Sequence, residues 1–459
     1  MVVGEVAGRA DVVVIGAGPG GYVAALRCAD LLDVKATGAR VVLIEREAIG
    51  GVCLNVGCIP SKILIHSAEV ADLPNHSADW GVQLSASVDL DRLHAHRRKT
   101  ISELTSGVAT LLDDAGVERW EGSARFSKPD RLAVVTGADV RHLEFANCII
   151  ATGSRPTAIS SLPVDGDRIV DSTGALEFDD VPRHLVVVGG GYIGVELGTA
   201  WAKLGASVTI VEASPSLLPA MDRRLSKAVE KRLIELGANV VLDTKVTGVD
   251  DPLLADADRI IVAVGRTPNT DELGLDTANV PVTDSGHITV GPDRRATRRI
   301  YAIGDVTHGP ALAHKATAEA EVAAHVIAGQ PAAFDPAAIP EIVFSDPEVA
   351  NIGLSAATAA DQGIDASVFR FPFAAGSRSR TLGNTRGFVQ LVADEAGTII
   401  GAQLAGAGVS ELAGEMALAI EMSATVEDLA ATIHPHPTMS EALVEAAHGL
   451  SGLPLHIRR

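Results

Sequence analysis

Basic residues are scarce in this chain, and so are cysteines. Its 459 residues carry 38 lysines and arginines against 58 aspartates and glutamates, a formal charge of −20. Nucleic acids and anionic membrane surfaces reward basic patches, so both are disfavoured as partners; small molecules or basic protein surfaces fit better. Four cysteines in so long a chain exclude a disulfide scaffold, and in a reducing compartment a close pair points to catalysis or metal binding. A lone pair falls short of the four ligands of a structural zinc site, so no metal is expected. No run approaches the roughly 18 apolar residues of a membrane span, and the N-terminus lacks a basic start and a small-residue cleavage site. The expectation is a cytoplasmic protein. With 47% apolar residues the chain can fill about three globular domains.

What the chain does have is a repeat. The β-branched run Asp11-Val-Val-Val-Ile15 ends in Gly16-Ala-Gly18-Pro-Gly-Gly21, and a helical pattern follows from Tyr22 to Leu31. Leu185-Val-Val-Val188, Gly189-Gly-Gly191-Tyr-Ile-Gly194 and a helical pattern from Val195 to Leu204 repeat that grammar, the glycines offset by 173 residues. A strand before and a helix after turn a weak GxGxxG into a dinucleotide fingerprint. The first glycine allows the tight turn, the second lets backbone approach a pyrophosphate, and the third lets the helix pack closely; the helix N-terminus favours the anion. Each second strand ends in an acid, Glu45 or Glu212, placed to hold a ribose 2′-hydroxyl. Two dinucleotides are therefore expected. Cys53 follows Glu45 within eight residues, so a flavin at the first site would extend toward the cysteines. Ala-Ser-Pro rather than arginine follows Glu212, which favours NAD over a 2′-phosphorylated relative.

Further runs suit a close approach to a cofactor: Cys148 to Gly153 and Ile260 to Gly265 are buried-strand patterns ending in glycine. Arg299 to Asp305 ends in an acid that could accept from flavin-chain hydroxyls or, equally well, serve a turn or cap. From about Ile339 strands at Glu341, Phe388 and Thr398 and a helix from Glu411 to Met422 suggest a separate α+β domain for association. The expected fold is α/β, with two Rossmann-like dinucleotide-binding domains and a C-terminal α+β dimerisation domain. In the expected layout, residues 1–150 bind FAD and are completed by 270–338, 151–269 bind NAD, and 339–459 dimerise.

The cysteines sit in Gly50-Gly-Val-Cys-Leu-Asn-Val-Gly-Cys-Ile-Pro-Ser-Lys62. Five residues of helix rise about 7.5 Å, beyond the roughly 4.4–6.8 Å between the Cα atoms of a disulfide, so the pair cannot occupy one regular helix. Asn55 and Gly57 give the turn latitude, and Pro60 suits the early part of a helix. So small a ring constrains little unfolded chain, which weakens a purely structural reading. A helix N-terminus and the Lys62 charge would favour a reactive thiolate. Near the other end, Thr432-Ile-His434-Pro-His436-Pro-Thr-Met-Ser-Glu441 offers a group that titrates near neutrality, with Pro437 expected to begin a helix that carries Glu441 to the His436 ring. On its own that stretch could equally be a packed turn. Cys28 and Cys148 read as inert packing residues, and His66, His94, His96 and His142 as surface or helix residues.

"GGVCLNVGCIPSK", "GGGYIGVELG", "AVGRTPN", "AIGDV" with "LAHKA", and "HPHPTMSE" together resemble the pyridine nucleotide-disulfide oxidoreductases, and within them the dihydrolipoamide dehydrogenase branch, over nearly the whole chain. The resemblance implies that Cys53 is the interchange thiol and Cys58 the one facing the flavin, with Lys62 beside the flavin and paired with Glu196. His436 and Glu441 would form an acid/base dyad supplied by the other subunit of a homodimer. Non-covalent FAD would contact Gly16, Gly18, Gly21, Glu45, Gly51, Lys62, Ala124, Gly153, Asp305 and Ala313. NAD would contact Gly189, Gly191, Tyr192, Gly194, Glu212, Val246 and Gly265, with Tyr192 near the nicotinamide face. The implied reaction oxidises a dihydrolipoyl group on the acyltransferase (E2) of a 2-oxoacid dehydrogenase complex and reduces NAD⁺. Reduction of another disulfide or a quinone, or a mainly structural place in such a complex, is the alternative. Two departures stand out. Only nine residues separate Val249 from Arg259, where the family carries a longer β-meander, and Asp346 replaces a histidine common among relatives.

Overall fold

The structure, a computed structural model, describes residues 8–458, which form two compact units. The first is built from the chain up to Pro60, His94–Thr157 and Arg266–Asp335. Strand β1 (Gly8–Ile15) runs parallel to its neighbours β2 (Val41–Glu45) and Asp139–Ile150, and Ile300–Ala302 extends the sheet beyond the latter. Val12, Val13 and Val14 are buried, as a strand covered on both faces requires. On one face lie α1 (Pro19–Leu31) and the helix Ala313–Ile327, packed through Ala24, Ala25, Ala320, Ala323 and Ala324. Ser123–Lys128, Arg131–Thr136 and Asp139–Ile150 form an antiparallel meander whose Phe126, Leu132 and Val134 join an apolar cluster with β1.

After β2 come α2 (Gly51–Asn55) and α3 (Cys58–Asp72), separated by Val56 and Gly57. Contrary to the expectation from sequence, Gly51–Trp80 reaches the length and mean hydropathy of a membrane-crossing helix, by composition only. Leucine, isoleucine and alanine along α3 account for this, but the stretch is broken before Cys58 and carries Lys62, Glu69 and Asp72.

The second unit comprises Ser61–Leu93, Ala158–Gly265 and the chain from Pro336 onward. Its parallel sheet has β3 (His184–Val188) at the centre, between β4 (Ser207–Val211) and Arg259–Val262, with Asn239–Val241 and Ile169–Val170 outermost. Helix α4 (Tyr192–Lys203) follows β3. Between Val241 and Arg259 a single 3-10 turn, Pro252–Leu254, is formed, and Val246, Leu254 and Ala257 cover the sheet where a meander would lie. Downstream, a five-stranded antiparallel sheet packs against helices Val409–Glu421 and Glu441–Leu450. Asp346 accepts from Lys203 and Arg232, both at 2.9 Å. Burial works against its charge, but the two cations outweigh that and hold the carboxyl below its usual range, so an acid fits where relatives carry histidine.

Candidate active site

The two fingerprints are built alike. Gly16 and Gly189 have φ of +99° and +111°, a region open to glycine. A Cβ on Gly21 would overlap the Gly16 carbonyl, and one on Gly194 the Gly189 carbonyl, so the third glycine brings each helix onto its loop. Over the middle glycines, Gly18 and Gly191, a Cβ would meet nothing within 4 Å. These residues are the extended N-caps of α1 and α4, without a side-chain cap or an acid in the first turn. Uncapped N–H groups beneath open space are what a pyrophosphate needs. Glu45 accepts from the Ala17 N–H at 2.6 Å and from those of Arg46 and Glu47 at 2.8 Å. Its counterpart Glu212 accepts from Gly190 at 2.6 Å and Ser214 at 2.7 Å.

The cysteine helix sits on the first fingerprint. Gly50 donates its N–H to the Ala17 carbonyl at 2.8 Å, and a Cβ on Gly51 would come within 2.7 Å of the Gly18 Cα. Cys53 lies in α2, while Cys58 opens α3 with Pro60 in its first turn, so the pair straddles a break rather than sharing a helix. The Tyr22 phenol, in the first turn of α1, is pushed up by burial and by the charge of Cys53. One turn past Cys58, Lys62 donates to Glu196 at 2.8 Å and lies 4.6 Å over the Phe344 ring. The second Glu196 oxygen accepts the Phe344 N–H at 2.9 Å, which accommodates a side chain only 5% exposed.

His436 Nδ1 and Glu441 are 2.8 Å apart, and the Thr438 N–H donates to the other Glu441 oxygen at 2.8 Å. The helix does not begin at Pro437 as expected; it begins at Glu441. The Thr438 hydroxyl donates to the Pro435 carbonyl, closing a turn over these residues that takes the place of a helical one. For Glu441, burial raises the pKa, but the bonds from His436 and Thr438 and the charges of His436 and His456 outweigh it and leave the carboxyl below its ordinary value.

Asp305 accepts from the Ser154 hydroxyl at 2.5 Å, and Arg266 donates to that hydroxyl at 2.7 Å. Gly153 and Gly265 both have positive φ, Ala313 opens the helix Ala313–Ile327, and Tyr192 is the exposed first residue of α4. Ala124 and Val246 lie in apolar clusters, and nothing sets them apart from ordinary core. Burial pushes the Cys28 thiol up to about 12 and that of Cys148 further still, in keeping with packing roles. Three partnerships escaped the sequence: His434 with Glu415 at 2.8 Å, His456 with Glu445 at 2.5 Å, and a buried Lys315–Glu319 pair at 3.1 Å. Only the last left a signal, its i,i+4 spacing on a helix.

Residues 10–320 match the pyridine nucleotide-disulphide oxidoreductase family, and residues 339–447 match the dimerisation domain of that family. The chain is 44% identical to a dihydrolipoyl dehydrogenase of Geobacillus stearothermophilus, over 100% of this chain and 99% of that protein. Among solved structures it resembles LpdA from Mycobacterium tuberculosis, with a TM-score of 0.88 and 25% identity over 96% of this chain and 99% of that one. It also resembles the HOCl-induced flavoprotein disulfide reductase RclA from Escherichia coli, with a TM-score of 0.84 and 27% identity over 95% of this chain and 99% of the other. Twin dinucleotide seats, a paired-cysteine segment resting on one of them, and matches of this extent lead to one assignment: the chain belongs to the pyridine nucleotide-disulphide oxidoreductase family.

Proposed function

We propose that this protein is a dihydrolipoyl dehydrogenase that oxidises a protein-bound dihydrolipoyl group and reduces NAD⁺. The observation that carries the reading is the Gly50 to Ala17 bond, which puts the head of the cysteine helix on the backbone of a dinucleotide loop. FAD, when bound at the first fingerprint, supplies the two-electron relay between the dithiol and NAD⁺ at the second. Residues 1–150 with 270–338 would hold FAD and 151–269 NAD, with Glu45 and Glu212 receiving the ribose hydroxyls.

The rest of the chemistry belongs to the chain. The structure has Cys53 and Cys58 as thiols; once they are oxidised to a disulfide, a substrate thiolate would attack the Cys53 sulfur, break the Cys53–Cys58 bond and release Cys58 as a thiolate. The second substrate thiolate then displaces Cys53, which closes the substrate disulfide and leaves both cysteines reduced. Cys58 at the start of α3, with Lys62 one turn on, is placed for a stabilised thiolate. His436, held at Nδ1 by Glu441, keeps Nε2 to take the substrate protons. Segment 339–447 would pair two copies of the chain, each lending its His436 to the other's dithiol. Ile433, beside His434 and 96% exposed, and the exposed Leu418 and Met422 are apolar surface for such a contact. The acidic charge suits a basic binding domain on an acyltransferase (E2) in the cytoplasm.

The likeness to a flavoprotein disulfide reductase favours one rival, reduction of a different disulfide. Turnover of dihydrolipoamide with NAD⁺, compared with turnover of glutathione disulfide with NADPH, tests the choice. The first is expected to be faster, and a faster second assay overturns the proposal.

A further inference from the structure

Asp305 stands on a turn whose backbone is gripped by buried charge. Gly304, at φ +75°, donates its N–H to Glu319 at 2.6 Å, and its carbonyl accepts from Lys315 at 3.1 Å and from the Thr307 hydroxyl at 2.8 Å. Both backbone polar groups of one residue are thus taken by side chains from the helix Ala313–Ile327 and by the turn itself. Lys315 and Glu319 are 1% and 0% exposed and lie 3.1 Å apart. Arg294 donates to Glu319 from a further strand-side turn at 2.8 Å. The Lys315 ammonium also reaches the Thr307 hydroxyl at 3.0 Å.

An ion pair this deep gives little net stability, because desolvation offsets most of the attraction, and apolar side chains could fill the same space. The bonds it makes are specific nonetheless: they hold Gly304, the residue immediately before Asp305, from both sides in its left-handed conformation. Asp305 itself is steered from the other side by Ser154 and Arg266.

We infer that Lys315, Glu319 and Arg294 are positioning residues for the flavin site, which clamp the backbone on both sides of Gly304 so that the Asp305 carboxylate is presented to a hydroxyl-bearing cofactor chain. This rests on the reading of the first fingerprint as an FAD site. The clamp is pre-organisation: a turn held in place before binding loses less freedom when the ligand arrives.

The test replaces the pair by apolar residues, Lys315→Met with Glu319→Leu, so that neither member of the pair is left charged alone; Arg294, 11% exposed, loses its carboxylate but keeps its contact with the Phe334 ring. The holoenzyme of this variant is expected to unfold within a few degrees of the parent, by circular dichroism. Its FAD dissociation, followed by flavin fluorescence on dilution, is expected to be at least about tenfold faster, the scale of a lost hydrogen bond to a charged group. Asp305→Asn should also speed dissociation, and adding it to the double replacement should produce little further change, because both act through one contact. FAD held as tightly as in the parent overturns the inference, and so do strictly additive effects. A double replacement that does not fold is met by Arg294→Lys, expected to keep the fold and speed FAD release; unchanged release there counts against the clamp. A parent protein without flavin would instead remove the FAD reading of the first fingerprint.

Discussion

The first and second fingerprints share their glycines, their acids and their uncapped helix starts, and differ in what leans on each loop. At the first, the Ala17 carbonyl accepts from Gly50, the residue before the cysteine helix. At the second, the corresponding Gly190 carbonyl accepts from Leu218 at the same 2.8 Å, part of an apolar turn without reactive groups. The helices are also held differently. Helix α1 has small residues against the helix Ala313–Ile327, Gly20 facing Ala316, whereas α4 ends in Lys203 bound to Asp346. The comparison separates a generic seat for a dinucleotide from the thiol chemistry added to one copy of it.

The largest expected effect breaks the comparison outright. Cys53→Ser should lower dihydrolipoamide oxidation by at least about 10³-fold, as loss of a residue that bonds covalently to the substrate does, while flavin absorbance is retained. Activity near the parent level would mean that the helix on the first loop is not what distinguishes the two sites. His436→Gln should lower the same reaction by about 10²-fold or more, the range for a lost general base. Reduction of a quinone dye by NADH, which needs no dithiol, should fall far less; an equal loss in both assays contradicts the assigned role.

A sharper contrast comes from the acids. Glu212→Ala should weaken NAD⁺ by about tenfold and leave bound flavin in place, and Glu45→Ala should do the reverse. Equilibrium dialysis with each nucleotide decides this, and matched losses would mean the sites are not separate. The smallest change concerns stability. Asp346→Asn should cost about 2 kcal/mol in urea unfolding at neutral pH, since a charged hydrogen-bond partner is lost. The folded pKa of Asp346 is depressed, so its contribution is present above the unfolded carboxylate value, about 3.9, and is lost as pH falls through the lower folded value. The variant's stability deficit should therefore shrink in acid; a deficit independent of pH would point to packing instead.

Local patterns carried most of what the sequence discloses. Both fingerprints were legible because three glycines, a strand and an acid lie within about 30 residues, and the break between Cys53 and Cys58 was expected from helix rise set against the span of a disulfide, although the structure has both as thiols. Lys62 and Glu196, 134 residues apart, were joined only through the resemblance. The docking of Gly50 on Ala17 and the pairing of His456 with Glu445 had no signal, since each depends on where distant backbone is brought. Pro437 misled because a proline allowed at a helix start does not require one, and the bonds of Thr438 made a turn instead.

The hydrogen bond from the cysteine segment to the carbonyl of Ala17 makes the position of the thiols depend on the loop that seats the coenzyme. A change that shifts the glycine loop would therefore displace the thiol-bearing segment together with the coenzyme seat.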